Sequence, residues 1–167
     1  MIYIGIDPGL NGAVGVVDLG AGNCEPKLFV YDTPTVLVEG GKTRRKYLTS
    51  AMALLIESYK NRSDVLAILE NVHSMPSQGV SSSFCFGEGK GMWEGILAAY
   101  NVPTELVSPQ RWKKEIMADQ GKEKSAARFK AMALFPNLAD HLKLVKHDGR
   151  AEALLLAEYG RRLRKGQ

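Results

Sequence analysis

Four carboxylates in this 167-residue chain have the types and positions from which metal-assisted hydrolysis can be built: Asp7, Glu70, Asp148 and Glu152. Asp7 closes the apolar run Ile2-Tyr3-Ile4-Gly5-Ile6, and Glu70 closes Val65-Leu66-Ala67-Ile68-Leu69. In both places a charge stands where burial is still expected, and a buried carboxylate costs free energy unless something positive holds it. Asp148 and Glu152 are four apart and share a face if that segment is helical. Carboxylates held close together repel, and a divalent metal offsets the repulsion. Mg²⁺ favours such an oxygen site with substrate phosphates completing its shell. Two such ions, roughly 3.5–4 Å apart, activate a water and stabilise the leaving oxygen in phosphodiester cleavage.

Each acid also has an ordinary reading. Asp7-Pro8-Gly9 has the form of a turn. Asp148 suits the N-cap of a helix, and Glu152 suits a solvated first-turn acid favoured by the helix dipole. What sets the four apart is their joint pattern: two strands each stopped by an acid, then an acidic pair downstream.

The elements that must position these groups can be read coarsely. Ile2–Asp7, Ala13–Asp18 and Lys27–Asp32 read as three strands of an antiparallel meander, with Asn11-Gly12 as the first turn. Val38–Lys46 is polar, glycine-containing and basic, and reads as a loop. Tyr47–Tyr59 has apolar residues at helical spacing (Leu48, Met52, Leu55, Ile56). Val65–Leu69 reads as a buried strand ending in Glu70. A helix is expected through Phe84–Tyr100 and a fifth strand at Thr104–Val107. Ser108-Pro109 pairs an N-cap with proline at N1, opening a helix through Trp112 to Met117. Further helices are expected over Glu123–Phe135 and Gly149–Arg164. The sum is an α/β domain with a five-stranded mixed sheet flanked by helices, spanning 1–167.

Bulk properties narrow the field. An apolar fraction of 45% is ordinary for a globular protein, and a net charge of +4 leans weakly toward a polyanionic partner. Cys24 and Cys85 have neither CxxC spacing nor a nearby histidine pair, so neither a disulfide framework nor a zinc site is expected. No apolar run reaches the roughly 18–20 residues that span a bilayer. The N-terminus lacks a basic segment followed by a cleavable apolar one and shows no transit peptide, so a soluble, cytoplasmic protein is expected.

In their order along the chain, these residues resemble the RuvC-type Holliday junction resolvases of the ribonuclease H-like superfamily, especially its small phage and plastid members. Ile4-Gly5-Ile6-Asp7-Pro8-Gly9 is similar to the family's opening strand and first metal ligand. Leu69-Glu70, with Ser74-Met75-Pro76-Ser77-Gln78-Gly79-Val80 and Phe86-Gly87, is similar to the segment bearing the second acid. Val107-Ser108-Pro109-Gln110-Arg111-Trp112-Lys113-Lys114 resembles the next strand and basic helix, and His147-Asp148-Gly149-Arg150-Ala151-Glu152-Ala153-Leu154 the terminal acidic pair. The opening motif alone is shared with sugar kinases and actin-like ATPases; the ordered set of four is specific. Two departures stand out. Many members carry aspartate where this chain has Glu152, and many bacterial members space the final pair three apart rather than four. His147 is therefore a further candidate as ligand or proton carrier, or else a loop histidine beside the site.

The resemblance implies a ribonuclease H-like fold, two Mg²⁺ ions (with Mn²⁺ able to substitute) on Asp7, Glu70, Asp148 and Glu152, and a metal-activated water attacking the phosphodiester. The products would be a 5′-phosphate and a 3′-hydroxyl. The implied partner is four-way branched DNA, cut by paired symmetric nicks. Two symmetric nicks imply a homodimer. No membrane and no small-molecule cofactor are implied. The process served is DNA recombination, repair or phage genome processing.

Phosphates require cations. Candidates are Lys42, Arg44, Arg45 and Lys46, then Lys113 and Lys114, then Lys122, Lys124, Arg128 and Lys130. The resemblance favours the last two groups, Lys124 matching best. Scattered lysines also simply solvate helix faces, and Arg161, Arg162, Arg164 and Lys165 suit a helix C-terminus. His73, Met75 and Gln78 are placed to contact bases, where an apolar group could wedge into stacked pairs. Phe84, Phe86 and Trp93 read as core or dimer contacts. Rival functions are another nuclease of the superfamily, cutting flaps or RNA/DNA hybrids, and a non-catalytic junction-binding module. An actin-like kinase would need a second similar domain, for which 167 residues leave no room.

Overall fold

Alternating apolar residues on the first strand serve two cores at once. In the computed structural model, which describes residues 1–20, 25–39, 44–73, 79–121, 123 and 125–165, strand β1 (Ile2–Asp7) lies at the centre of a five-stranded sheet. Ile2, Ile4 and Ile6 point to one face, and Tyr3 to the other. Strand β2 (Ala13–Asp18) pairs antiparallel with β1, and β3 (Lys27–Asp32) antiparallel with β2. On the other side β6 (Val65–Glu70) runs parallel to β1, and β7 (Thr104–Val107) parallel to β6. The order β3-β2-β1-β6-β7 is the mixed sheet expected.

Helices cover both faces. Helices α1 (Thr49–Glu57) and α2 (Val80–Ala99) close the core of Ile4, Ile6, Val16, Met52, Leu69 and Trp93. Helices α3 (Pro109–Ile116), α4 (Ala126–Leu134) and α5 (Asp148–Lys165) close the core of Tyr3, Ile68, Trp112, Ala131, Leu155 and Tyr159. Burial on both faces explains why β6 reads as an unbroken apolar run.

Helix α5 lies directly on β1 and β2 because Gly5 and Gly15 face each other across that pair. A Cβ at Gly5 would collide with the Ala153 carbonyl, and one at Gly15 with the backbone of Ala153 and Leu154. The bare glycines therefore let the helix settle onto the sheet, which brings Glu152 to the end of β1. Arg150 clamps the same turn to the end of β3 through two bonds to Asp32, at 2.6 and 2.7 Å.

Several expectations are corrected. The segment read as a loop over Val38–Lys46 contributes to a separate two-stranded sheet of β4 (Thr35–Val38) and β5 (Arg44–Tyr47); residues 40–43, with Lys42, lie outside the described residues. Tyr47 is thus strand, and α1 starts after it. Helix α2 starts at Val80, four residues earlier than expected, so the three serines at 81–83 are helical. Between α4 and α5 the chain makes short 3-10 turns at Pro136–His141 and Val145–His147. Trp93 is core, but Phe84 is 73% exposed and packs in no core. Cys85 is a free thiol, and Cys24 lies outside the described residues. No helix among the described residues is long and apolar enough to cross a membrane.

Candidate active site

The parallel register of β1 and β6 sets Ile6 beside Leu69, so the next residues, Asp7 and Glu70, end neighbouring strands side by side. Asp148 and Glu152 come from the first turns of α5. All four line one cleft of about 1040 Å³, with Lys113 of α3 and Asn11 of the β1–β2 turn on its walls.

Each acid is held differently. Asp7 Oδ1 accepts the Gly9 N–H at 3.2 Å, an aspartate turn of the kind its Asp-Pro-Gly context favours. Glu70 is only 5% exposed, and its Oε1 accepts the Trp112 indole N–H at 2.8 Å. Glu152 Oε1 accepts from Lys113 Nζ at 2.7 Å. Asp148 Oδ1 accepts from Arg128 Nε at 2.6 Å, and Arg128 also reaches the Lys143 carbonyl. Helix α3 supplies two of these partners from adjacent positions. Its start is set by Ser108, whose hydroxyl accepts the Arg111 N–H, and by Pro109 at the first helical position.

The electrostatics are those of crowded anions. Burial, then the charges of Glu152 and Glu70, push the Asp7 carboxyl up to about 7, against the pull of the Gly9 N–H and Lys113. Burial also raises Glu70; the Trp112 bond opposes this, Glu152 adds to it, and Lys113 opposes it. Burial works against the Lys113 ammonium, yet Glu152, then Glu70 and Asp7, hold it above the ordinary lysine range. Asp7, Glu70, Glu152 and Lys113 therefore act on one another as a unit.

An all-oxygen donor set of this charge suits a hard divalent cation. Among the described residues no group of three acidic, histidine or cysteine side chains is already disposed to ligate one. Lys113 and Arg128 pair with Glu152 and Asp148 in the cleft. The donors fit the ion in type and number, and burial together with the charges of Glu152 and Glu70 disfavours the Asp7 anion when no metal is bound.

The remaining sequence candidates divide. His73 and Lys114 are exposed near the site's two ends of chain, after Glu70 and in α3. Arg128 has its guanidinium paired with Asp148 and a side chain only 11% exposed. Met75, Gln78, Lys122 and Lys124 lie outside the described residues. His147 is buried, its Nδ1 accepts the Leu144 N–H at 3.3 Å, and it does not line the cleft.

Three contributors were not foreseen. Trp112 was read only as part of a helix, although a donor-only indole within Ser108–Lys114 is a signal for an acceptor nearby. Tyr47 lines the cleft, donating to the Pro8 carbonyl at 3.1 Å and lying 3.1 Å from that of Cys85. Phe86, read as a core or dimer contact, is 39% exposed and lines the cleft as well.

No protein-family model matches the chain, and no curated protein matches it in sequence. Among solved structures it is similar to Thermus thermophilus RuvC, with a TM-score of 0.61 and 13% identity over 98% of this chain and 97% of that one. It is also similar to T. thermophilus RuvC in complex with Holliday junction substrate, with a TM-score of 0.55 and 12% identity over 98% and 96% of the two chains. The chain thus has the ribonuclease H-like α/β fold of RuvC across nearly its full length.

Proposed function

We propose that this chain is a divalent-metal-dependent endonuclease that resolves four-way DNA junctions, working over residues 1–167 as one nuclease domain and as a homodimer. The observation that carries this is the meeting of Asp7, Glu70, Asp148 and Glu152 in one cleft at the ends of adjacent central strands. Support for the substrate comes from the shared fold with a protein whose structure includes a Holliday junction.

Asp7, Glu70, Asp148 and Glu152 would hold the metal. When bound, Mg²⁺ supplies the charge that offsets these acids and the Lewis acidity that makes water a competent nucleophile at neutral pH. The chain's own groups do the positioning. The Trp112 N–H fixes the rotamer of Glu70, and the Gly9 N–H that of Asp7. Lys113 Nζ holds Glu152 until substrate enters and then turns to a non-bridging oxygen of the scissile phosphate, where its charge opposes that building in the transition state. Arg128 holds the Asp148 carboxylate in place through its Nε–H bond. Two such sites related by a two-fold axis give the paired nicks of a symmetric junction.

The test is cleavage of end-labelled four-way junctions, flaps, RNA/DNA hybrids and linear duplexes with Mg²⁺ or Mn²⁺. Paired nicks in the junction, well above cutting of the other substrates, are expected. Preference for flaps or hybrids would move the chain to another nuclease class of this fold. Tight junction binding without cutting in either metal would make it a binding module.

A further inference from the structure

The cleft has a basic arm on one side that the proposed chemistry does not use. Hairpin β4–β5 follows β3 and pairs only with itself, outside the main sheet. A two-stranded hairpin is marginal alone, so something must hold it. Tyr47 does so at its base, reaching the Pro8 and Cys85 carbonyls, and its phenol lies against Gly89 of α2. The Leu48 N–H adds a bond to the Pro34 carbonyl at 3.0 Å. The arm is thus joined to the residue that follows Asp7.

Strand alternation then decides where its cations go. Arg45 shares a face with Tyr47, and its guanidinium bonds the Asn11 side chain on the cleft wall. Arg44 and Lys46 take the opposite face, and all three are exposed. Several other cations are spent: Lys113, Arg128, Lys130, Arg150, Arg161 and Arg162 each hold a carboxylate. Among the described residues no carboxylate forms a salt bridge with Arg44, Arg45 or Lys46. Three adjacent exposed cations without a counter-charge are an anion-binding surface looking for its anion. The placement follows from the connections. Asp7 and Glu70 end the central strands, and Lys113 and Lys114 follow β7 on one side of them. On the other side Asn11 lies in the β1–β2 turn, and the hairpin follows β3 and meets that turn through Arg45.

We propose that the β4–β5 hairpin is a second backbone grip, in which Arg45 on one face and Arg44 and Lys46 on the other bind phosphates of the DNA leaving the cleft on the side of the β1–β2 turn. This rests on the reading of the chain as a DNA nuclease. The grip flanks the acids on the side opposite α3, so the strand is held on both sides of the bond to be cut. Phosphate contacts of this kind position a strand and carry no base preference.

The experiment compares wild type, the Arg44→Ala/Arg45→Ala/Lys46→Ala triple variant and the Arg44→Lys/Arg45→Lys variant. Binding to a labelled four-way junction is measured in EDTA from about 50 to 300 mM salt, and kcat and KM with Mg²⁺. Each phosphate contact contributes about 0.9 to the slope of log affinity against log salt. The triple variant is expected to lose about tenfold to a hundredfold in affinity, with a slope shallower by nearly 3 (about 0.9 for each of three contacts). KM rises while kcat stays within about threefold, because positioning is lost and not chemistry. The lysine variant keeps the slope. If the triple variant fails to fold by circular dichroism, Arg44→Ala/Lys46→Ala leaves the Arg45 and Tyr47 anchors in place and should lower the slope by about 1 to 2. Unchanged affinity, or weaker binding with an unchanged slope, overturns the grip while the nuclease reading stands. A wild type that binds junctions through this arm but cuts nothing leaves the grip and overturns the nuclease. A wild type that binds no DNA overturns both.

Discussion

The Lys113 ammonium lies 2.7 Å from Glu152 Oε1, two residues 39 apart in sequence, in a cleft where Glu70 and Asp7 also act on it. A lysine among three acids is their counter-ion, and in the proposed reaction it would supply positive charge beside the scissile bond. Replacement by methionine keeps most of the stem and removes the charge. Lys113→Met should lower single-turnover cleavage of a junction by on the order of 10²–10³. Junction affinity should fall by less than about tenfold, since one ionic contact among many is lost. Quenched-flow cleavage and gel-shift titration measure the two. Affinity lost as severely as rate would make Lys113 a general DNA contact instead.

Trp112 and Trp93 provide a matched pair for the value of the bond to Glu70. Both indoles are fully buried, but Trp112 Nε1 donates to Glu70 while Trp93 Nε1 has no partner. Phenylalanine at either position loses similar packing. Only Trp112→Phe also strips a buried carboxylate of its donor, which costs about 1–3 kcal/mol more. Thermal unfolding should place Trp112→Phe below Trp93→Phe by roughly 2–10 °C for a chain of this size. Equal melting temperatures would show that the indole bond contributes nothing.

The raised Asp7 carboxyl makes a statement about stability and pH. Its ordinary value is 3.8 and its folded value is about 7. Between those values the native state binds more protons than the unfolded one, so metal-free stability falls as pH rises through that window and is level above it. An amide does not titrate. Metal-free Asp7→Asn should therefore match wild type near pH 4 and exceed it by roughly 4 kcal/mol at pH 8. Denaturant unfolding of both proteins in EDTA across this range is the measurement, and parallel curves would contradict it. Mg²⁺ should stabilise wild type increasingly over the same window, because the carboxylate that holds it must first lose its proton.

The contact of α5 with the sheet predicts a mutation that acts on the site from below. Gly15→Ala places a methyl group against the backbone of Ala153 and Leu154. Lifting the helix costs about 1–3 kcal/mol and displaces Glu152, which neighbours Ala153. Cleavage should fall further than the loss of folded protein explains, as seen by comparing activity with circular dichroism at one temperature. Activity that tracks the folded fraction would mean that the helix seat does not position the site.

What was legible in the sequence follows physical range. Strands β1, β2 and β6 announce themselves because each buries apolar residues along its length, and an acid ending such a run is conspicuous. Asp7 and Glu70 were found that way. The Trp112–Glu70 and Lys113–Glu152 bonds join residues 42 and 39 apart, and no local pattern encodes such pairs. Val38–Lys46 reads as loop because β4 and β5 are only four residues long and β5 is nearly all cations. What makes it a strand is Tyr47, whose anchoring lies in tertiary contacts with Pro8 and Cys85. The start of α2 was missed for a related reason. Its first turn is exposed, has no side-chain cap and carries three serines, so local propensity argues against a helix that the buried Trp93, Ile96 and Leu97 nonetheless anchor.

The central claim is that Asp7 serves metal-dependent cutting and not folding or DNA affinity. Asp7→Asn changes one oxygen to a nitrogen and removes one charge. Its most direct test measures junction binding and Mg²⁺-dependent cleavage side by side for wild type and Asp7→Asn. The account predicts that the variant binds a four-way junction at least as tightly as wild type, since an anion near the phosphates is gone, while cleavage drops by more than about 10³. A variant that still cuts at near wild-type rate would contradict it, as would one that loses binding and cutting together.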